Sequence, residues 1–294
     1  MSRQLVRRSD LVATGATEPE VRRAVDGLQR IAAGTYADLR GLSGRERHLL
    51  RTRAVLGRVT NVVASHVSAA VLWDLPLPGE RLGMVHVSRV PPRTARPTST
   101  PRYRMHSPLV SDDETATLHG LRATGAVRTV TDCVRLLDPD WGVAIADAAL
   151  HRGLVTGEAL SDAARGIGRL KGSRRVRLLP GKVSALAESP AESLLRLRLI
   201  RLGYRPREQV SLPSVPGSPR VDFLIDPSVV VEFDGRGKYS IGGDPERAHW
   251  EDKQRHDRLV DAGFEVVHVT WDQLADEFAL RARIDRALRR VSAG

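Results

Sequence analysis

The chain has 294 residues, of which 41% are hydrophobic, and this is enough for two or three domains with buried cores. Its single cysteine, Cys133, excludes an internal disulfide framework and any cysteine-based zinc site. No apolar run approaches the roughly 18 residues of a membrane span, and the basic first residues precede no apolar signal segment. We therefore expect a cytoplasmic protein with no membrane partner.

The net charge is +11, and its distribution favours a polyanionic partner such as DNA. The excess of basic residues lies before residue 181, because residues 181–294 contain 18 Lys/Arg and 18 Asp/Glu. Only four of the 46 basic residues are lysines, a bias that genome composition can produce. The charge by itself therefore adds little to the argument for DNA.

Residues 1–58 are predicted to form a winged helix-turn-helix domain. Ser9 can cap a first short helix, and Gly15 can end it. A second helix begins after Thr17, with acidic residues at the positive end of its dipole. The weakly alternating segment around Gly34 is typical of a β-wing.

The second helix of such a domain enters the major groove of DNA. Arg22, Arg23 and Arg30 are therefore the predicted DNA-binding residues. An ordinary helical hairpin with a solvated basic face is the alternative interpretation.

Residues 59–164 are predicted to form a middle α/β domain without a catalytic constellation. We expect a helix over 65–75, strands over 84–88 and 102–106, and two amphipathic helices after them. His66 has no second His or Cys at metal-ligand spacing, so we expect it to pack at a helix start. Residues 165–188 are predicted to be a basic connector, either a solvated linker or a hinge that contacts DNA phosphates.

Residues 189–294 have a pattern of helix, three strands, helix, strand and helix. The predicted elements are a helix over 190–202, strands over 207–212, 220–225 and 229–233, a helix over 246–262, a strand over 264–269 and a helix over 271–290. The turn between the second and third strands predicts an antiparallel hairpin. That pairing can bring Asp222 close to Glu232, and strand alternation places Glu232 and Asp234 on one face.

Three converging carboxylates repel each other, so a cation is expected among them. Mg²⁺, or Mn²⁺ in its place, binds carboxylates and substrate phosphate, and it can activate a water for phosphodiester hydrolysis. Asp222, Glu232 and Asp234 are therefore the predicted metal ligands. A salt bridge from Asp222 to Arg220 or Arg198 is the structural alternative, and Asp234 could mark only a turn.

The αβββαβ order with Glu232-Phe233-Asp234-Gly235 resembles the PD-(D/E)XK nuclease superfamily, in particular uncharacterised domains related to very-short-patch repair endonucleases. The resemblance implies that Asp222, Glu232 and Asp234 are catalytic, although Asp234 stands where lysine is usual.

The same resemblance implies that Lys238 or Lys253 stabilises the transition state, with His256 as a further candidate cation. Glu192 would support a metal ligand. Glu192 also completes the spacing of a capping box with Ser189, so the structural and catalytic interpretations have equal weight.

The upstream segments ASHVSAAVLWDLPLP and LRATGAVRTVTDCVRLL, after the predicted winged helix, resemble AbiEi-type antitoxins and transcriptional regulators. Two functions follow from the two resemblances. One is a DNA-binding protein with a Mg²⁺-dependent endonuclease domain. The other is a regulator of a type IV toxin–antitoxin system whose nuclease fold is inactive, with a cognate toxin as a possible protein partner.

Overall fold

The computed structural model describes residues 5–91, 100–107, 109–235 and 245–293. The chain forms two compact units, Met1–Lys182 and Val183–Gly294, and each contains helices and sheets. The expected mixed α/β class is therefore confirmed. Within the described ranges, no helix has the length and apolarity needed to cross a lipid bilayer.

The first unit begins with two short helices and a small antiparallel sheet. These elements are β1 (Val6–Arg7), α1 (Arg8–Ala13), α2 (Glu18–Val25), β2 (Gln29–Ala32) and β3 (Thr35–Ala37), and the sheet order is β1-β3-β2. A capping box between Thr17 and Glu20 starts α2. Ser9, which we expected to cap the first helix, lies inside α1, whose cap position is Arg7. Gly34 has φ of +62°, which permits the tight turn between β2 and β3.

A five-stranded sheet with surrounding helices completes the first unit. Its elements are α3 (Gly44–Leu56), β4 (Val62–Ala64), α4 (His66–Leu72), β5 (Val85–Arg89), β6 (Tyr103–His106), β7 (Thr115–Leu118), β8 (Leu121–Thr124), α5 (Ala126–Leu136), α6 (Pro139–His151), α7 (Gly157–Gly166) and α8 (Ser173–Arg177). The strand order is β6-β5-β4-β8-β7, and the sequence did not predict β4, β7 and β8. Helix α3 contacts both β2 and β5, so the predicted segments 1–58 and 59–164 belong to one unit.

The predicted connector 165–188 is mostly a packed part of the first unit. Val176 and Leu179 are buried, and α8 contacts α5 and α7. Gly172 has φ of +82°, and a Cβ on it would lie 2.6 Å from the carbonyl oxygen of Arg135. Val176 and Leu179 lie three residues apart among basic side chains, and both are buried. The expectation of a solvated linker was therefore wrong.

The second unit contains the predicted elements in the predicted order. They are α9 (Pro190–Arg201), β9 (Arg207–Ser211), β10 (Arg220–Asp226), β11 (Val229–Phe233), α10 (Pro245–Asp261), β12 (Glu265–Val269), α11 (Trp271–Ala275) and α12 (Glu277–Ala293). The single helix expected over 271–290 is two helices, because Asp276 interrupts it and accepts a hydrogen bond from the backbone N–H of Ala279.

The sheet of the second unit has the order β12-β11-β10-β9 and carries a core on each face. Strands β10 and β11 pair antiparallel, as predicted, whereas β11 and β12 pair parallel. Val229, Val231 and Phe233 of β11 pack in the core with α9 and α12. Val230 packs on the opposite face with Leu259 of α10. Strand alternation therefore directs Glu232 toward the α10 face.

Candidate active site

Three predicted carboxylates meet in one cleft of the second unit. Asp222 of β10, Glu232 of β11 and Asp234, which follows β11, line a cleft of about 240 Å³. The other lining residues are Glu188, Gln209, Arg220, Phe233, Asp252, Arg255 and His268. Acidic and basic side chains from three strands and a helix therefore share one small polar space.

Asp222 is tied to the end of the neighbouring strand. Its Oδ2 accepts a hydrogen bond of 2.8 Å from the backbone N–H of Phe233. Arg220 and Arg198, the two arginines considered as structural partners of Asp222, pair with Glu188 and Glu277 respectively.

Glu232 is the most buried carboxylate of the cleft, with 6% of its surface exposed. Both of its oxygens accept hydrogen bonds from Arg255: Nη1 donates to Oε2 at 3.0 Å, and Nη2 donates to Oε1. Such a two-point, charge-assisted pair is among the stronger side-chain interactions in proteins. In this structure, the buried charge of Glu232 is therefore compensated by a guanidinium.

Arg255 supplies a positive charge beside Glu232, where we had expected a metal ion. Burial alone lowers the pKa of its guanidinium, but the hydrogen bonds and charge of Glu232 raise that pKa above its ordinary value. The charges of Asp252 and Asp222 act in the same direction. Nη2 also donates to the carbonyl oxygen of Arg220 at 2.8 Å, which fixes the group across the mouth of the cleft. The sequence analysis did not select Arg255.

Two histidines lie behind the carboxylate of Glu232. His268 is the β12 residue paired with Glu232 in the parallel register, and its Nδ1 is 4.0 Å from Glu232 Oε2. Its Nε2 is 3.2 Å from Nδ1 of His256, so one ring donates to the other. His256, predicted as a substitute cation, thus reaches the cleft only through His268.

The remaining predicted residues have different positions. Lys253 is exposed and is not among the lining residues, and Lys238 lies outside the described residues. Asp234 is exposed at the cleft, and its backbone N–H donates to Val269 at 2.8 Å. Glu192 accepts hydrogen bonds from Ser189 Oγ at 2.8 Å and from the N–H of Glu188 at 2.9 Å at the start of α9.

Glu192 is linked to the cleft by one side chain. Its Oε2 also accepts from Nε2 of Gln209 at 2.9 Å, and Gln209 lines the cleft. Glu192 therefore supports the start of α9, whose N-cap is Ser189, and holds Gln209, a structural position rather than one on the cleft wall.

The oxygen donors of the cleft are of the type that Mg²⁺ prefers. Their present arrangement is different from a metal centre: no group of three His, Cys, Asp or Glu side chains among the described residues is placed to hold an ion. Both oxygens of Glu232 accept hydrogen bonds from Arg255. The carboxylates of the cleft nevertheless have the donor chemistry that suits a divalent cation.

The predicted DNA-binding arginines lie on the first small sheet and its helices. Arg22 and Arg23 are exposed on α2, and Arg30 is exposed on β2. Arg22 is within 3.7 Å of Glu18, and such an exposed pair contributes little to stability.

A second polar cluster, which the sequence analysis missed, lies inside the first unit. The ring of His106 stacks on that of His66, and its Nε2 is 2.9 Å from Nδ1 of His86. His66 lies 3.7 Å from Asp132, which is buried between Arg128 and Arg135. We refer to His66, His86 and His106 as the histidine cluster.

Neither a protein-family model nor a curated protein sequence matches this chain.

Proposed function

We propose that the chain is a DNA-binding protein whose C-terminal unit hydrolyses phosphodiester bonds with a divalent cation, Mg²⁺ or Mn²⁺. The observation that carries the proposal is the convergence of Asp222, Glu232 and Asp234 in one cleft beside Arg220 and Arg255. Carboxylates suit a hard cation, and arginines suit a phosphate.

Six of the residues that line the cleft have a role in this proposal. Asp222, Glu232 and Asp234 would hold the ion, which when bound supplies an activated water and charge stabilisation. Arg220 and Arg255 would bind the non-bridging oxygens of the phosphate by two-point hydrogen bonds. Gln209, fixed by Glu192, would orient a polar group at the cleft floor.

The first unit would bring DNA to the protein. We propose that α1, α2 and the β2–β3 hairpin are a winged helix-turn-helix in which α2 is the recognition helix. The exposed positions of Arg22, Arg23 and Arg30 support this assignment. Phosphate contacts from these arginines would supply affinity that falls with salt.

A second candidate function is a DNA-binding regulator or antitoxin whose nuclease fold is inactive, with a toxin as its protein partner. The pairing of Glu232 with Arg255 favours it, as does the carboxylate of Asp234 at the position where the superfamily has lysine. A permanently paired Glu232 would give binding without hydrolysis.

A cleavage assay distinguishes the two functions. The full chain would be incubated with supercoiled, linear, nicked and single-stranded DNA in Mg²⁺, Mn²⁺ or EDTA. We expect metal-dependent cutting that is lost in Asp222→Asn and Glu232→Gln, whose side chains keep their shape. DNA binding without cutting on every substrate would instead support the regulator.

The matched control for this assay is Arg289→Met, because Arg289 is an exposed residue of α12 outside the cleft. It should cut as the wild type does. A nuclease that copurifies with the protein would leave all variants equally active, and that outcome would refute the assignment of the cleft.

A further inference from the structure

We use the name latch for the ion pair between Arg255 and Glu232, a contact that a phosphate group could displace. Resting on the proposed function, we propose that Arg255 holds Glu232 in the absence of nucleic acid and transfers to a backbone phosphate that enters the cleft. The released carboxylate then becomes available to a divalent cation. The cleft thereby binds its two ligands, phosphate and cation, in a mutually dependent way.

Arg255 blocks the approach of a cation to Glu232. The guanidinium engages both oxygens of Glu232, and the carboxylate is buried with 8% of its side chain exposed. A cation that approaches this carboxylate meets a fixed positive charge at the same oxygens. Metal binding therefore requires Arg255 to leave.

A phosphate group in the same cleft could bind Arg255 in place of Glu232. Its own side chain is 28% exposed, and it lines the cleft together with Arg220. Arg220 lines the same cleft and is half-exposed, with its pair to Glu188 at the rim. A phosphodiester seated there would meet two guanidiniums, which match its oxygens in geometry and charge.

When Arg255 and Glu232 exchange partners in this way, both charges remain paired. Arg255 moves from one anion to another, and Glu232 moves from one cation to another, so neither group is left buried alone. Leaving either group uncompensated is the costly alternative. A cation should consequently bind more tightly when phosphate is present, and by linkage phosphate should bind more tightly when the cation is present.

Calcium binding measured by calorimetry tests the latch without any catalytic turnover. The probes are Ca²⁺ and a thymidine tetranucleotide, which is too short to occupy a helix-turn-helix site. In the wild type we expect the tetranucleotide to raise the Ca²⁺ affinity by about tenfold or more, because the binding-competent state is otherwise a minor fraction.

Removal of the latch should mimic the phosphate. Arg255→Met should bind Ca²⁺ without the tetranucleotide as tightly as the wild type does with it, and the tetranucleotide should add nothing further. Arg289→Met removes the same charge from α12 and should behave as the wild type. Glu232→Gln should lose Ca²⁺ binding in both conditions.

Equal Ca²⁺ affinity of Arg255→Met and the wild type in the absence of the tetranucleotide would overturn the latch. If Arg255→Met fails to fold, Arg255→Lys takes its place, because lysine keeps the charge but cannot hold both oxygens in a planar fork. It should show a raised Ca²⁺ affinity, and an unchanged affinity would again overturn the proposal.

Failure of the latch and failure of the proposed nuclease have different signatures. Cooperative Ca²⁺ and tetranucleotide binding without DNA cleavage would leave the latch standing and remove the enzyme. Cleavage by a protein whose Arg255→Met variant binds Ca²⁺ no better than the wild type would leave the enzyme standing and remove the latch.

Discussion

The imidazole rings of His66 and His106 stack with their centroids 3.5 Å apart and their planes 14° from parallel. His106 also contacts His86, so three rings from α4, β5 and β6 form one buried contact chain. Two imidazolium ions cannot share such a stack, because like charges in a buried space repel strongly. Burial and repulsion between the rings therefore favour the neutral form of these histidines by lowering their pKa values.

Acid should destabilise the first unit through this cluster. Burial, with repulsion from the neighbouring rings and Arg104, lowers the pKa of His86 and of His106 to about 3, and burial lowers that of His66 as well. An unfolded histidine has a pKa of about 6.5. The stabilisation is thus fully present above about pH 6.5 and is lost toward pH 3, by about 1.4 kcal/mol per pH unit for each histidine.

Cys133 provides the measurement, because it is the single thiol of the chain and is buried in α5. Urea unfolding of the first unit would be followed by labelling Cys133 with a pyridyl disulfide between pH 7.5 and pH 5. His106→Asn should reduce the pH slope, and His119→Asn, at an exposed position, should not. Burial raises the pKa of Asp132, which offsets part of the slope in stronger acid, so the window above pH 5 is the informative one.

Gly172→Ala should destabilise the first unit by about 1–3 kcal/mol, the range for a strained left-handed residue in a packed site. Its φ is +82°, and the new Cβ would meet the backbone of Arg135 at 2.6 Å. Gly168→Ala is the control, because no atom lies within 4 Å of a Cβ built there. Urea unfolding monitored at Cys133 compares the two, and equal stabilities would contradict the packing of the 165–182 segment.

Asp222→Ala should cost more stability than Asp222→Asn. Alanine leaves the N–H of Phe233 without its 2.8 Å acceptor, a loss of about 1–3 kcal/mol, whereas asparagine keeps an oxygen there. Thermal unfolding followed by tryptophan fluorescence measures the difference. Asp226→Ala, at the exposed end of the same strand, should be close to neutral. Equal losses in the two Asp222 variants would show that the hydrogen bond contributes nothing.

Glu192→Ala should lower the free energy of unfolding of the second unit by about 1–3 kcal/mol, because the N–H of Glu188 and the amide of Gln209 lose their acceptor. Ca²⁺ binding with the thymidine tetranucleotide should be retained, because Glu192 does not itself line the cleft. Calorimetry on the folded variant decides the question. Loss of Ca²⁺ binding with retained structure would instead favour the expected role of Glu192 in support of a metal ligand.

The strands of the second unit were predictable because their signals are local. Val229–Phe233 alternates around a buried apolar set, and the turn before it defines the hairpin that brings Asp222 near Glu232. The bounds of β10 and β11 follow from residues adjacent in sequence. The same reasoning placed all three carboxylates at the hairpin without any long-range information.

Arg255 was not predictable in the same way. Lys253, Arg255 and His256 lie within four residues on α10, and helical spacing alone does not say which of them faces the sheet. The relevant contact is Leu259, buried on the sheet one turn after Arg255. That anchor could have placed Arg255 and His256 on the sheet side, because residues three and four apart share a helix face, but it does not choose between them.

The histidine cluster was hidden for another reason. Its members are separated by 20 residues in each case and come from α4, β5 and β6, so no motif spacing connects them. The parallel pairing of β5 with β6, which aligns Ser88 with His106, brings His86 and His106 together, and the packing of α4 on β5 adds His66. Such pairings depend on the whole sheet, and the sequence analysis had not predicted the neighbouring strand β4.

The parallel register of β11 and β12 makes the composition of the cleft depend on a turn outside it. His268 stands beside Glu232 because the chain passes from α10 into β12 through residues 262–264, where Gly263 has φ of +86°. Side chains alternate along a strand, so a deletion of one residue in that turn would set a valine beside Glu232 and rotate His268 to the opposite face. Insertions or deletions in this turn would therefore change which side chain lies beside Glu232, although every residue of the cleft remained in the sequence.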